Sequence, residues 1–350
     1  MVTPVTISSR KIGPHQPIFI VAEAGVNHNG DPERARRLVD VAAAAGADAV
    51  KFQTFKAERL ATHRAPKAGY QLQATDAKES QLEMLRQLEL SEKDHRELMA
   101  HCRQKGILFL STPFEEESAD FLESLNLPAF KIPSGELTNL PFLAHVARKG
   151  RPMIVSTGMS TLEEVERGVR TIRENGSPEL ILLHCVSNYP ADPAEVNLRA
   201  LATLAEAFQV PVGYSDHTTG IEIALAAAAL GAVLIEKHFT LDRTLPGPDH
   251  RTSLEPAELA DLVKGIRRVE LALGHGEKVP APVEAAISAV ARKSLVAARA
   301  LPAGTVLTRS DVAVKRPGTG ISPAELQRIL GKKVHRPFER DELFGWEDLR

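Results

Sequence analysis

Two histidines and two lysines carry most of the chemistry open to this 350-residue chain. His217, in Ser215-Asp216-His217, and His238, in Glu236-Lys237-His238, each close a short apolar run. On neighbouring strand ends, two such imidazoles can share one divalent cation and leave coordination positions open, as a catalytic site requires. Lys51 and Lys131 lie in two other runs, with Thr112, Ser134 and Ser156 on runs nearby. Ammonium groups beside small hydroxyls suit a phosphate or a carboxylate. The plainer alternative is a lysine neutralised by a carboxylate such as Glu136. Glu23 and Glu136 form the candidate acid–base set, one at each side of the expected mouth. Gln53 shares a strand face with Lys51, while Ser187, Tyr189 and Ser215 are further polar groups at run ends. Asp249, in Pro246-Gly247-Pro248-Asp249-His250, either binds sugar hydroxyls or serves a rigid turn.

These residues need a scaffold, and the apolar runs supply one. They cover 18–25, 49–55, 108–114, 129–135, 153–159, 180–190, 210–217 and 234–241, with helical stretches between most of them. Strands alternating with helices form a parallel sheet, and eight repeats close a (β/α)8 TIM barrel. Such barrels place chemistry at the C-terminal ends of their strands, where the residues above fall. Asp31-Pro32-Glu33 starts one helix that stops at Gly46, and Ser160 with Glu163 fits a capping box. His184 reads as a hydrogen-bonded core residue rather than a ligand. The polar stretch 56–80 reads as an irregular loop, either a binding lid or disordered.

The remaining length divides the chain. Residues 1–274 form the barrel, 275–290 a Pro- and Gly-rich linker, and 291–350 a small β-rich domain. A net charge of −2 gives no general field for nucleic acid or membranes. Residues 292–350 carry a surplus of basic groups that reads as ordinary surface solvation. Cys102 and Cys185 lack metal-ligand spacing and read as reduced, buried thiols. No signal peptide or membrane span is evident, so the expectation is a cytoplasmic protein.

Several motifs, taken together and in order, resemble the sialic acid synthases. They are AEAGVNHNGD, GADAVKFQTF, FLSTPF, KIPSGE, STGM, LHCVSNYP, GYSDHT, IEKHFTLD, PGPDH and, in the tail, KRPGTG. The resemblance implies a phosphoenolpyruvate-dependent transferase that joins phosphoenolpyruvate to N-acetylmannosamine, giving N-acetylneuraminate and phosphate. The alternative acceptor is 2,4-diacetamido-2,4,6-trideoxymannose, which would make the chain an N,N'-diacetyllegionaminate synthase. It further implies a divalent cofactor, Mn2+ before Mg2+ or Co2+, a C-terminal antifreeze-like (SAF) domain, and a domain-swapped homodimer. By the same resemblance His217 and His238 are metal ligands. Lys51, Thr112, Lys131, Ser134, Ser156 and Ser215 contact phosphoenolpyruvate, as does Ser187, which stands where some members carry Asn. Gln53, Glu136, Tyr189 and Asp249 contact the sugar, Glu23 lies beside the metal, and Arg316 reaches the neighbour's site. The KFQTF run looks more like the legionaminic branch. A metal-dependent aldolase and a non-catalytic carbohydrate-binding protein are the competing readings.

Overall fold

The protein is described by a computed structural model covering residues 2–76, 78–176 and 179–350. It begins with a small hairpin, β1 (Val5–Ile7) and β2 (Arg10–Ile12), paired antiparallel. Eight parallel strands follow: β3 (Phe19–Gly25), β4 (Ala49–Thr54), β5 (Leu108–Pro113) and β6 (Phe130–Ile132), then β7 (Met153–Ser156), β8 (Leu180–Cys185), β9 (Val212–Asp216) and β10 (Leu234–His238). Their hydrogen-bonded order is β5-β4-β3-β10-β9-β8-β7-β6, with β5 and β6 lying side by side to complete a nearly closed TIM-type barrel.

Alternation along each strand divides the barrel wall into two faces. Phe19, Val21, Ala49, Leu110, Ile154, Ile181, Leu183 and Leu234 form one buried cluster with Val5, Ile7 and Ile12 of the hairpin. The other face of the strands, including Ile20, Ala22, Val50 and Ile235, packs with the surrounding helices. The hairpin therefore plugs the lower end of the barrel interior with apolar side chains. Continuing the inner alternation upward reaches Glu23 after Val21, Lys51 after Ala49, Ser156 after Ile154, and Glu236 and His238 after Leu234. An apolar layer is thus followed, two residues later on each strand, by polar and ionisable groups.

The first crossover helix, α1 (Pro32–Ala45), has the expected ends. Asp31 accepts from the backbone N–H groups of Glu33 and Arg34, and Gly46 closes the helix at φ 82°. The capping box expected at Ser160 and Glu163 instead uses Thr161 and Glu164, one residue later, because the Thr161 side chain accepts from the Glu164 N–H. The stretch expected to be irregular carries two short helices, α2 (Ala57–Leu60) and α3 (Gly69–Ala74), and leads into α4 (Gln81–Gln87). None has the length from which a helix could be read by periodicity alone.

The chain divides into two compact units, Met1–Gly274 and His275–Arg350. In the second, Ser294–Ala297 pairs antiparallel with Val312–Lys315 over a core that includes Leu295, Leu301, Val312, Ile329, Phe338 and Phe344. The segment expected to be a plain linker contains a helix, Glu284–Ala291, with no buried residue. Among the described residues, no helix is long and apolar enough to cross a membrane.

Candidate active site

Four charges of alternating sign lie at the bottom of the barrel mouth. The Glu23 carboxylate is 2.6 Å from the Lys51 ammonium. Lys51 is 3.7 Å from Glu236, which in turn is 3.5 Å from Lys131. Strand register produces this chain of contacts, since Glu23 lies opposite Lys51 on β4 and opposite His238 on β10. All four are buried. Burial pushes Glu23 up to about 7, against the pull of Lys51. Burial also works to raise Glu236, but Lys131 and Lys51 outweigh it and hold its carboxyl below the usual range. Lys131 is lowered by burial, whereas in Lys51 the two carboxylates prevail over burial and raise it. Of the set, the Glu23 carboxyl is the one poised to gain or lose a proton near neutral pH.

Hydroxyls surround these ammonium groups. Lys51 donates to Thr112 Oγ1 and Lys131 to Ser156 Oγ, each at 2.8 Å. Ser215 donates to Glu236 Oε1 at 2.9 Å. Ser134 Oγ accepts from the Gly158 N–H at 3.0 Å and lies 3.0 Å from Cys185 Sγ. Ser187 and Cys185 line the same cavity, of about 480 Å³. Gly158 belongs there by necessity: a Cβ at this position would stand 2.3 Å from Ser187 Oγ and 2.8 Å from Ser134 Oγ. Small hydroxyl donors beside two buried ammonium groups are the kind of groups that an anion would need.

Above the floor stand the two imidazoles, with ring centroids 5.5 Å apart. His217 Nδ1 donates to the Val186 carbonyl at 2.7 Å, which leaves Nε2 as the lone-pair nitrogen, 3.0 Å from the Tyr189 hydroxyl that donates to it. Burial lowers His217 to about 4 and His238 well below the usual value, so both rings are neutral at pH 7. His238 Nδ1 is buried without a hydrogen-bond partner, 3.7 Å from Asp249 Oδ2. Two neutral imidazoles, one oriented through a backbone carbonyl and one with an orphaned nitrogen, fit a divalent ion. Among the described residues no three His, Cys, Asp or Glu side chains make a ready ligand set. An ion held by the histidines would take its other ligands from solvent or substrate.

Asp249 reaches the site because the loop after β10 is tied to the one after β3. Asn27 donates to the Phe239 carbonyl at 2.8 Å, and Asn29 donates to that of Pro246 at 2.6 Å. Ser253 and Thr252 both donate to the Asp249 carbonyl. Burial pushes the Asp249 carboxyl up to about 6. Gly25, at φ 51°, allows the β3 end to turn beneath this loop; a Cβ there would lie 3.3 Å from Glu23 Oε1 and 3.5 Å from His238 Cε1.

The cavity thus gathers Glu23, Lys51, Gln53, Thr112, Lys131, Ser134, Ser156, Ser187, Tyr189, Ser215, His217, His238 and Asp249. Glu136 is not brought in. It lies on the short turn Ser134–Glu136, where its carboxylate accepts from Asn139 at 2.7 Å instead of lining the cavity. Arg316 belongs to the second unit and donates from Nε to the Ala291 carbonyl. His184 is bonded to the Val196 carbonyl at 2.6 Å, as a core residue. Asp216 accepts from Lys237 at 2.7 Å and from Thr218, a buried structural pair away from the cavity. Sequence reasoning missed Glu236, although the period-two step from His238 marks it as inward-facing. It also missed Cys185 and Tyr70, both lining the cavity.

A barrel mouth that gathers two buried lysines, a carboxyl raised toward neutrality and paired neutral histidines has the make-up of an enzyme site. The sequence profile of the NeuB family matches residues 38–278, and that of the SAF domain matches 292–350. The N,N'-diacetyllegionaminic acid synthase of Legionella pneumophila is 47% identical over 98% of this chain and 99% of its own length. The Homo sapiens N-acetylneuraminate-9-phosphate synthase is 39% identical over 95% of this chain and 93% of its own. Among solved structures, the N-acetylneuraminic acid synthetase of Leptospira borgpetersenii, in complex with citrate, superposes with TM-score 0.73 at 39% identity, covering 81% of this chain and 94% of that one. The chain belongs to the NeuB family, the sialic acid synthases, and carries their SAF domain. It is a condensing synthase, which removes the non-catalytic reading.

Proposed function

We propose that this enzyme condenses phosphoenolpyruvate with 2,4-diacetamido-2,4,6-trideoxymannose, releasing phosphate and N,N'-diacetyllegionaminate. The observation that carries the choice of acceptor is the character of the cavity wall. Its cations, among the described residues, are Lys51 and Lys131, both at the floor. The outer wall is neutral, built from Leu60, Tyr70, Gln71, Gln81, Met84 and Leu85. A sugar phosphate would find no counter-charge there, and the apolar surface of Leu60, Met84 and Leu85 suits the C6 methyl of the deoxy sugar better than a C6 hydroxyl. The names of relatives from Legionella pneumophila and Campylobacter jejuni, at 47% and 48% identity, support the same acceptor. N-acetylmannosamine is the second reading, favoured by the Leptospira structure's name.

In this reading Lys51 and Lys131, with Thr112, Ser134, Ser156, Ser187 and Ser215, hold the phosphate and carboxylate of the enol. His217 and His238 hold a divalent ion, Mn2+ before Mg2+ or Co2+, which when bound polarises the acceptor's aldehyde. Gln53, Tyr189 and Asp249 orient the sugar. The enol C3 bonds to the aldehyde carbon, whose oxygen takes a proton from solvent, and water adds at C2. Glu23, with its pKa near 7, accepts the proton of that water. The tetrahedral carbon then expels phosphate, whose charge the two lysines stabilise, and the ketone forms as the C2 hydroxyl gives its proton to the departing phosphate.

The enzyme is further proposed to act as a domain-swapped homodimer in which Arg316 of one chain reaches its partner's barrel. In support, the helix Glu284–Ala291 and the residues before it carry an exposed apolar series, Val279, Val283, Ile287 and Val290. Phosphate release from phosphoenolpyruvate with Mn2+, in parallel with each acceptor, tests the central reading. A higher kcat/KM with N-acetylmannosamine would replace the proposed acceptor, and activity with neither would overturn the reaction. A metal-dependent aldolase would turn over without phosphoenolpyruvate.

A further inference from the structure

One part of the cavity wall has no role in the chemistry above. It comes from residues 57–88, a segment with only a small core of its own, where Met84 and Leu88 pack with Val26 and Phe55 apart from the main cluster. Its outer half is fastened by a buried ion. The Lys67 side chain is about 1% exposed, and its ammonium donates to Glu79 Oε1 at 2.7 Å, the Asp76 carbonyl at 2.8 Å and Thr75 Oγ1 at 2.9 Å. All three of its protons are used, which is the condition for a buried ammonium to be tolerated. Thr75 in turn donates to the Gln71 carbonyl at 2.7 Å, and Gln71 Oε1 accepts from the Ala68 N–H at 2.9 Å. These bonds tie Lys67 and Ala68 to Gln71, Thr75, Asp76 and Glu79, on the two sides of α3.

The turn presents Tyr70. Its ring centroid lies 5.0 Å from that of Tyr189, whose hydroxyl is bonded to His217. Burial, and after it the charge of Asp249, raises the Tyr70 pKa. An aromatic ring is thus held over the acceptor residues by a lysine that does not itself line the cavity.

We propose that this wall is a second subsite, for the end of the acceptor sugar remote from its aldehyde. Tyr70 is its specificity-determining residue and Lys67 the positioning residue that holds Tyr70 there. The proposal rests on the amino-sugar reading of the cavity. The ligand class follows from the lining: Leu60, Met84 and Leu85 accept methyl groups, while Gln71 and Gln81 offer amide donors and acceptors. An acetamido substituent carries both, and a C6 methyl requires only the apolar surface.

The test compares wild type with Tyr70→Ala, Lys67→Met and Lys67→Arg, measuring phosphate release with both acceptors and limited chymotryptic digestion of the free enzyme. Tyr70→Ala should raise the KM for the diacetamido acceptor about tenfold, the scale of one lost aromatic contact. The KM for phosphoenolpyruvate should stay within about twofold, and the preference between acceptors should shrink. Lys67→Met should do the same and speed cleavage within 67–79, and Lys67→Arg should recover part of both. A folded Tyr70→Ala enzyme with unchanged acceptor KM and preference would overturn the subsite, as would a Lys67→Met enzyme that resists protease like wild type. If wild type prefers N-acetylmannosamine, the proposed acceptor falls, and the subsite is judged by the KM of that sugar in Tyr70→Ala.

Discussion

The Glu23 carboxylate and the Lys51 ammonium form an ion pair at 2.6 Å with both side chains almost wholly removed from water. Neither is free to be replaced alone. Removing one partner of such a pair strands the other charge, at a cost of about 3–5 kcal/mol. Lys51→Met should therefore lower the melting temperature markedly, and adding Glu23→Gln should recover part of the loss. Thermal denaturation of the two single variants and the double variant measures the coupling. Additive losses would show that the pair is already screened or neutral.

Glu236 separates the two lysines of the floor. In Glu236→Gln the ammonium groups lose a shared carboxylate, so anion binding should hold or tighten while turnover falls. A drop in kcat of about a hundredfold, the scale of one misplaced electrostatic group, with a KM for phosphoenolpyruvate no higher than wild type is expected. A raised KM with normal kcat would make Glu236 a binding residue instead.

His217→Ala removes one of the two proposed ligands, and with it the acceptor of the Tyr189 hydroxyl. Titration calorimetry should register no Mn2+ binding at concentrations that saturate wild type, while circular dichroism remains native. Chelation of the wild-type enzyme should abolish phosphate release, and Mn2+ should restore it. Full activity of the variant, or of the chelated enzyme, would refute the metal assignment.

Arg316 and His217 offer a test of the swapped dimer. Each of Arg316→Ala and His217→Ala should be inactive alone. Unfolded together and refolded, they should regain about a quarter of wild-type activity, because half the dimers then contain one intact composite site. Chains that each use their own SAF domain would regain nothing.

His28 is fully buried, and burial lowers it to about 3 from an ordinary 6.5. In the unfolded chain it takes up a proton below pH 6.5, whereas the folded protein refuses it until about pH 3. Stability from this residue is thus complete above about pH 6.5 and declines as pH falls through that window, by at most about 1.4 kcal/mol per pH unit. His250, lowered by burial to about 4, acts in the same direction. Denaturant unfolding between about pH 7.5 and 5 should show this decline, and His28→Gln should flatten it. An unchanged slope would mean that other groups carry the acid sensitivity.

Much of this protein was legible in its sequence because strand period and strand ends are local properties. Eight apolar runs gave the barrel, and their terminal residues gave most of the mouth. The caps of α1 follow from Asp31, Pro32 and Gly46 alone. Other features depended on which residues meet across the fold. Glu136 appeared equivalent to Glu23 in the sequence, but a turn directs it to Asn139. Glu236 became central only when register set it between Lys51 and Lys131. Within the polar stretch 56–80, which has no periodicity, Lys67 is buried by partners eight to twelve residues away that no local pattern marks. Sequence determined the alternation and the chemical types available at each strand end. Tertiary structure decided which charges neutralise one another and which remain for a substrate, because electrostatic energy depends on distance and burial, and neither is a property of a residue by itself.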